Sequence, residues 1–394
     1  MGVFSAMAQQ KPDPQIAAEL REVCQQFRIP GAIYDYRVMT AGNINTTYLV
    51  VCESIQHGMS VRIPYTAQKI NRYVFQDPVS MMRNIDLVTQ HIMEKNRKAG
   101  RCERRTRLHF HHTANRDNYY VTESGHFWRL SNYVEDSVAF NQTSDPKVLE
   151  MVGKAFGQFQ AQLCDFDASQ ITETIPDFHN TAKRLETFFA HVEEDPCGRC
   201  QEVQEEIAFL REQRAGTSQL SQQYLSGELP MRVTHNDTKA NNVMLDKNTL
   251  EPLVVIDLDT VMPGLAAYDF GDGVRFAANT AGESEKDLSK VSLDLGLYTA
   301  FAQGFISATA GFMTQAELDS MARGAVTITI ELASRFLDDY ITGDKYFKTN
   351  FPGENLVRAR CQIALAKDMI SKYPQMEEIV RRIAKETRQG NDHT

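Results

Sequence analysis

From Pro14 the apolar positions recur at helical spacing through PQIAAELREVCQQF, which predicts an opening helix. The period then changes. YRVMTAGNINTTYLVVCE sets two strand-like runs on either side of a small polar turn, Ala41 to Thr46, and MSVRIPYTAQKIN predicts a further strand. Residues 77–97 begin with Asp-Pro and continue at helical spacing, an N-cap and first turn leading into a helix. RTRLHFHHT, NYYVTES and HFWRLSNYVED predict three more strands, the last two joined at a Ser-Gly turn. Residues 1–133 therefore predict a mainly antiparallel sheet with one helix against it.

After Glu135 the pattern is helical over 147–163, 179–194, 201–225, 284–308, 315–341 and 354–387. The exception is residues 233–260, VTHNDTKANNVMLDKNTLEPLVVIDLDT, two short strands around a turn at Lys247–Thr249. The fold class is α+β and bilobal: a small sheet lobe, 1–133, then a large helical lobe, 134–394. Such an arrangement predicts an interlobe cleft, a common place for ligands.

The polar residues of 233–260 suggest chemistry. A hard cation such as Mg²⁺ takes oxygen ligands, often one or two from the protein and the rest from phosphates and water. Asn242 and Asp257 can supply such ligands while Asp237 orients an attacking hydroxyl, with Lys239 beside the transferring phosphoryl group as a point charge. That division of labour belongs to kinase-type phosphoryl transfer. The bland readings are these: His235 braces the loop, Asn241 is a turn residue, and Asp246 and Asn248 belong to the hairpin turn. Asp259 is either a second metal ligand or a cap.

Composition narrows the partners. The 394 residues carry a net charge of −9, which argues against a general nucleic-acid footprint. No window approaches eighteen uninterrupted apolar residues, and the first fifteen lack the pattern of a signal peptide. The expectation is a cytoplasmic protein that binds neither membrane nor nucleic acid. Seven Cys spread along the chain argue against a disulfide framework, and the lone CxxC at Cys197 and Cys200 has no second pair to complete a zinc site.

With THNDTKANNVMLD, VVIDLDTVMPG and AYDFGDGVRF in view, the sequence resembles the aminoglycoside phosphotransferase and choline kinase-like superfamily, and is similar within it to the N-acetylhexosamine 1-kinase branch. AGNINTTYLV, QKINRYVFQDP, WRLSNYVEDS, IPDFHNTAKRLE and ASRFLDDYITGDKYF extend the resemblance over most of residues 40–350. It implies ATP and Mg²⁺ as cofactors, Asp237 as catalytic base with Lys239 beside it, and Asn242 and Asp257 as metal ligands, Asp259 standing as a further candidate. It also implies that AGNIN, with Gly42, Asn43, Asn45 and Thr46, turns over the phosphates. Strand alternation would set Ala67 under adenine and Lys69 toward the phosphates, although Gln68 leaves the register open; Asp86 and Glu94 are candidate acidic partners. Tyr133, Val134 and Glu135 would form the hinge that meets the adenine edge. Asp269 reads as a structural acceptor fixing the catalytic loop, and Arg275 either pairs with an acid or faces the cleft.

On the acceptor side, the resemblance implies that Arg335 and Tyr346 contact a neutral sugar substrate, with His179 and Asp177 as possible neighbours. The plainer accounts are an internal ion pair for Arg335, packing for Tyr346 and a helix cap at Asp177. The implied reaction is phosphorylation of the anomeric hydroxyl of N-acetylhexosamines. The alternatives are a kinase of the same fold acting on an aminoglycoside, choline or another sugar, and a nucleotide-binding pseudokinase.

Overall fold

The computed structural model describes residues 13–39, 44–100 and 104–391. Two compact units emerge: Met1–Asp86 with Leu108–Glu135, and Leu87–Arg107 with Asp136–Thr394.

In the small unit, α1 (Pro14–Gln26) starts where the sequence predicts, with the Asp13 carboxylate accepting the Gln15 N–H at 2.9 Å and Pro14 in the first turn. Strands β1 (Ala32–Met39), β2 (Thr46–Gln56), β3 (Met59–Lys69), β4 (Tyr120–Val121) and β5 (Phe127–Asn132) form one antiparallel sheet in the order β1-β2-β3-β5-β4. Leu20 and Val23 of α1 are buried against Val50, Trp128 and Leu130 of that sheet, each contributing roughly 1.5–3 kcal/mol. Between β3 and β4 runs α2 (Pro78–Lys98), whose residues from Leu87 onward group with the large unit.

The strand predicted over 105–113 is not a strand. A 3-10 turn occupies Arg104–Thr106, and pairing with β5 is limited to the Phe110–Ser131 bridge and its neighbouring backbone bonds. The Asn132 side chain accepts the His109 N–H at 2.6 Å, so a side chain takes over part of the ladder.

The large unit contains α3 (Pro146–Gln162), α4 (Thr181–Glu194), α5 (Gln204–Thr217), α6 (Gln219–Leu225), α7 (Ala266–Ala277), α8 (Leu295–Thr309), α9 (Gln315–Ile341), α10 (Glu354–Ser371) and α11 (Tyr373–Asn391). Its short strands are β6 (Ser137–Val138), β7 (Arg232–Thr234), β8 (Val243–Asp246), β9 (Pro252–Val255) and β10 (Met262–Gly264), arranged as β6-β8-β9 and β10-β7. The helix predicted over 284–308 begins only at Leu295. Asp294 caps Gly296 and Leu297, and the segment before it is tied back by the Asn279–Leu293 bridge. The pattern over 354–387 breaks at Lys372, two residues before Pro374.

Helix α7 is drawn tightly onto α9. A Cβ on Gly324 would lie 2.0 Å from the Ala267 carbonyl oxygen, and one on Gly271 only 2.5 Å from the Gly324 carbonyl carbon. Glycine at both positions sets the helix separation. That matters because α7 carries Asp269 and Asp272, whose carboxylates hold the segment between β7 and β8.

Candidate active site

The segment between β7 and β8 is held from beneath by α7. Asp269 is fully buried, and its carboxylate accepts the backbone N–H of His235 at 2.9 Å, that of Asn236 at 2.8 Å and the Gln160 side-chain amide at 2.7 Å. Burial pushes the Asp269 carboxyl above its ordinary value, against the pull of His235, those two backbone N–H groups and Gln160. The expected structural acceptor is therefore what Asp269 is. One helical turn on, Asp272 accepts the Thr238 N–H at 2.8 Å and is held by Arg275 through two bonds of 3.2 and 2.9 Å. Burial alone would raise the Asp272 carboxyl, but chiefly the Arg275 guanidinium brings it below the ordinary value. Arg275 donates also to Glu283 at 3.1 Å, which resolves the choice left open for it: it pairs with acids.

Asn236, with φ of 64°, turns the chain through the left-handed region, and its side chain donates to the Thr260 carbonyl at 2.9 Å. This presents Asp237, whose carboxylate oxygen Oδ2 meets Lys239 Nζ at 2.9 Å and Asn242 Nδ2 at 3.0 Å. The same Asn242 amide donates to the Asp237 carbonyl at 2.8 Å. Burial works against the charge of Lys239, and the carboxylates of Asp237, Asp257 and Asp272 more than offset it, so the ammonium is held above its ordinary value. His235 braces the loop as expected. It takes the Asp237 N–H on Nδ1 at 3.3 Å and contacts the Ile256 carbonyl through Nε2 at 2.9 Å, with Phe156 and Phe159 edge-on to its ring. The Ile256 N–H in turn bonds the Asn242 carbonyl at 2.8 Å. The loop is thereby fastened to the residue preceding Asp257, which itself adopts φ of 60°.

The donor set suits a magnesium ion. Asn242 directs its N–H groups at Asp237, which leaves Oδ1 as the atom for a cation. Asp257 and the buried Asp259 follow within the 3-10 turn after β9. Among the described residues no three His, Cys, Asp or Glu side chains gather into a metal cage. A Mg²⁺ ion that keeps phosphate and water ligands needs only one or two protein oxygens.

The hairpin turn is as expected, with one addition. Asp246 accepts the N–H groups of Asn248 and Thr249 at 2.8 and 3.0 Å and also pairs with Arg105 at 2.8 Å; the Thr249 and Asn248 N–H groups first, then Arg105, hold its carboxyl down at about 2.

Within the small unit, Gly42 and Asn43 lie outside the described residues. Asn45 accepts the Asn71 N–H at 3.0 Å, and Thr46 opens β2 opposite Lys69, which is itself opposite Trp128. Ala67 requires a correction: it is fully buried in the core under α1, so its methyl is packing and offers no surface to adenine. Gln68, on the other face of β3, is bonded to Thr47 at 3.2 Å and to Arg129 at 2.9 Å. Asp86 pairs with His112 at 3.1 Å and Glu94 with Arg97 at 2.9 Å. Tyr133, Val134 and Glu135 follow the end of β5, with Val134 buried.

On the acceptor side, the Arg335 guanidinium lies 5.6 Å from the Phe178 ring, 6.0 Å from Tyr346 and 5.6 Å from Phe347. The structure therefore surrounds it with aromatic faces. Tyr346 is 67 % exposed, with its ring edge-on to Phe347 at 4.8 Å between centroids. His179 is held by Glu331 at 2.9 Å, and Thr181 donates to the same carboxylate at 2.6 Å. Burial works against the Glu331 charge, yet His179, Arg184 and Arg335 together keep its carboxyl below the ordinary value. The cap of α4 is Asn180, not Asp177.

A cavity of about 300 Å³ in the large unit is lined by Thr238 and Ala240 of the segment between β7 and β8, by Arg275 and Glu283, and by Gln362 of α10. Sequence reading missed this cavity and the Asp272–Arg275–Glu283 chain. The spacing of Asp269, Asp272 and Arg275 at three-residue intervals on one helix was the available signal.

Residues 114–290 match the family model described as APH, phosphotransferase enzyme family. Among solved structures, a microcompartment-associated aminopropanol kinase superposes with a TM-score of 0.55 at 13 % identity, covering 89 % of this chain and 98 % of its own. The spectinomycin phosphotransferase APH(9)-Ia, in complex with ADP and spectinomycin, gives 0.52 at 13 % identity, covering 91 % and 100 %. An aminoglycoside phosphotransferase from Alicyclobacillus acidocaldarius gives 0.52 at 14 % identity, covering all of both chains. At such identities the likeness is one of fold, and the fold is kinase-like: an antiparallel N-terminal sheet with its helix, then a large helical lobe. Among the described residues, no helix is long and apolar enough to cross a membrane.

Proposed function

We propose that this chain, with the fold of the aminoglycoside phosphotransferase and choline kinase-like superfamily, is an ATP- and Mg²⁺-dependent kinase that phosphorylates the anomeric hydroxyl of N-acetylhexosamines. The observation that carries the phosphotransfer reading is the meeting of Lys239 and Asn242 on one oxygen of Asp237. Two donors occupy Oδ2, and the second carboxylate oxygen is left to orient an acceptor hydroxyl.

Asn242, Asp257 and Asp259 would hold the magnesium ion, which when bound draws negative charge from the nucleotide phosphates. Lys239 adds a fixed positive charge beside the transferring group. The acceptor oxygen forms its bond to the γ-phosphorus as the bond to the β–γ bridging oxygen breaks, leaving ADP. Asp237 takes the hydroxyl proton late in that step. An anomeric hydroxyl is more acidic than an ordinary alcohol, so orienting it is most of what Asp237 has to do. Asn45, Thr46 and the backbone at Tyr133–Glu135 are the proposed nucleotide contacts of the small unit; Lys69 shares the Ala67 face of β3 and is not one of them.

The acceptor preference rests on the resemblance and on the surroundings of Arg335. A guanidinium among the rings of Phe178, Tyr346 and Phe347 offers donors for sugar oxygens and faces for the acetyl methyl. Asp237→Asn tests the base assignment: it should lower kcat by about 10²–10⁴-fold while Mg-ATP still raises the melting temperature. Near-normal turnover in that variant removes Asp237 from its role. Absence of any ATP-dependent stabilisation in the unaltered protein would favour a non-catalytic binding module.

A further inference from the structure

Gln362 is only 1 % exposed and lines the 300 Å³ cavity, and its side-chain oxygen Oε1 has no hydrogen-bond partner. A buried acceptor left in that state is costly, and a native protein usually satisfies it. The cavity is large enough for a molecule of monosaccharide size. Its charged side chains are Arg275 and Glu283, already paired with one another at 3.1 Å, so the wall carries no net charge. Phosphates and polycations would both have to break that pair. Leu149, Val152 and Phe276 add an apolar face. Asp237, Arg335 and Tyr346 are not among the residues of the wall.

We propose that this cavity is a second ligand site, separate from the reacting hydroxyl, for a small neutral polyhydroxylated molecule whose O–H or N–H group is bound by Gln362 Oε1. The site is wired to the catalytic loop. Arg275 and Glu283 on its wall connect through Asp272 to the Thr238 N–H, and Thr238 itself lines the cavity next to Lys239. A ligand that packs against Arg275 and Thr238 stiffens the loop that carries Asp237. The proposal concerns a seat other than the one assigned to the acceptor, and it stands or falls independently of which alcohol is phosphorylated.

The probe is N-acetylglucosamine, titrated calorimetrically into the full-length protein without nucleotide. Three variants are compared with the unaltered chain: Gln362→Leu, which removes the acceptor; Ala281→Phe, which puts a bulky side chain on the wall; and Arg335→Ala, outside the cavity. With the acceptor seat also taking this sugar, the cavity predicts two binding events in the unaltered chain: one weakened at least tenfold in the first two variants and kept in Arg335→Ala, the other weakened in Arg335→Ala alone. Gln362→Leu should also raise the melting temperature of the free protein, since it deletes an unsatisfied buried acceptor. Amide exchange at residues 235–242 should slow on adding the sugar, and fail to slow in Ala281→Phe. A single binding event that both cavity variants leave intact overturns the proposal; so does preference of the cavity event for a sugar phosphate or a polycationic aminoglycoside over the neutral sugar. Phosphorylation of a sugar panel by the same preparations reports on the proposed function separately. Failure there with cavity binding intact removes the function and keeps the site.

Discussion

Replacing Asp269 by Asn should disconnect the catalytic loop from α7 without changing the size of the side chain. The carboxylate serves three donors: Oδ2 takes the His235 N–H and the Gln160 amide, and Oδ1 takes the Asn236 N–H. An Asn keeps one oxygen, and its best placement is toward the two donors at Oδ2. Its NH₂ group then faces the Asn236 N–H, a buried donor against a donor, at a cost of about 1–3 kcal/mol. Asn236 is also the left-handed residue, φ 64°, whose conformation is worth holding only while its hydrogen bonds persist. Set against this, Asn carries no charge to bury, and burial already strains the Asp269 carboxylate. The net expectation is a loss of about 2 kcal/mol, or roughly 4–8 °C in melting temperature for a unit of this size, followed by far-ultraviolet circular dichroism. Because Asp237 is the next residue along, a displacement of about 1 Å at the loop should lower kcat about 100-fold. If Asp269→Asn melted within a degree of the unaltered protein and turned over normally, the anchoring role given to α7 would be wrong.

Gly324→Ala should destabilise by about 1–3 kcal/mol, because its Cβ meets the Ala267 backbone at 2.0 Å, whereas Gly390→Ala, with nothing within 4 Å, should be neutral or slightly stabilising in the same melting experiment. Asp257→Ala should weaken Mg²⁺-dependent nucleotide binding by about tenfold or more in a titration of nucleotide at varied Mg²⁺; unchanged metal dependence would remove it from the ligand set. Glu331 and Asp272 both have carboxyls held below their ordinary values, against burial, by cationic neighbours. Their stabilisation is therefore complete above the unfolded values of about 4.3 and 3.9 and is lost as pH falls through the lower folded values. Acid unfolding monitored by circular dichroism should begin below about pH 4, and Glu331→Gln should make its pH dependence shallower.

What was legible in the sequence follows from how local each feature is. Asp237, Asn242 and Asp257 sit within twenty-one residues, and the loop and strand between them leave few ways to arrange the side chains. Strand alternation likewise located β2 and β3. Alternation gives two faces and does not say which is covered, and so Ala67 was placed toward a nucleotide when α1 buries that face. The extended histidine segment at 105–113 has strand propensity, but the Asn132 side chain competes for its backbone. Helix spacing over 284–308 is real, yet the Asp294 cap and the Asn279–Leu293 bridge delay the start. The Glu331 partnership with His179 joins residues 152 apart, a contact that no local pattern encodes. The Gln362 cavity is equally a product of tertiary packing.

The central claim is tested most directly by the product. Incubation of the protein with ATP, Mg²⁺ and, separately, N-acetylglucosamine, N-acetylgalactosamine, other neutral sugars, choline, aminopropanol and aminoglycosides should be followed by phosphorus NMR. The account predicts a phosphorus signal coupled to the anomeric proton of an N-acetylhexosamine, absent with Asp237→Asn. Phosphate on any other oxygen, or on an amino alcohol or aminoglycoside in place of the sugar, would contradict it.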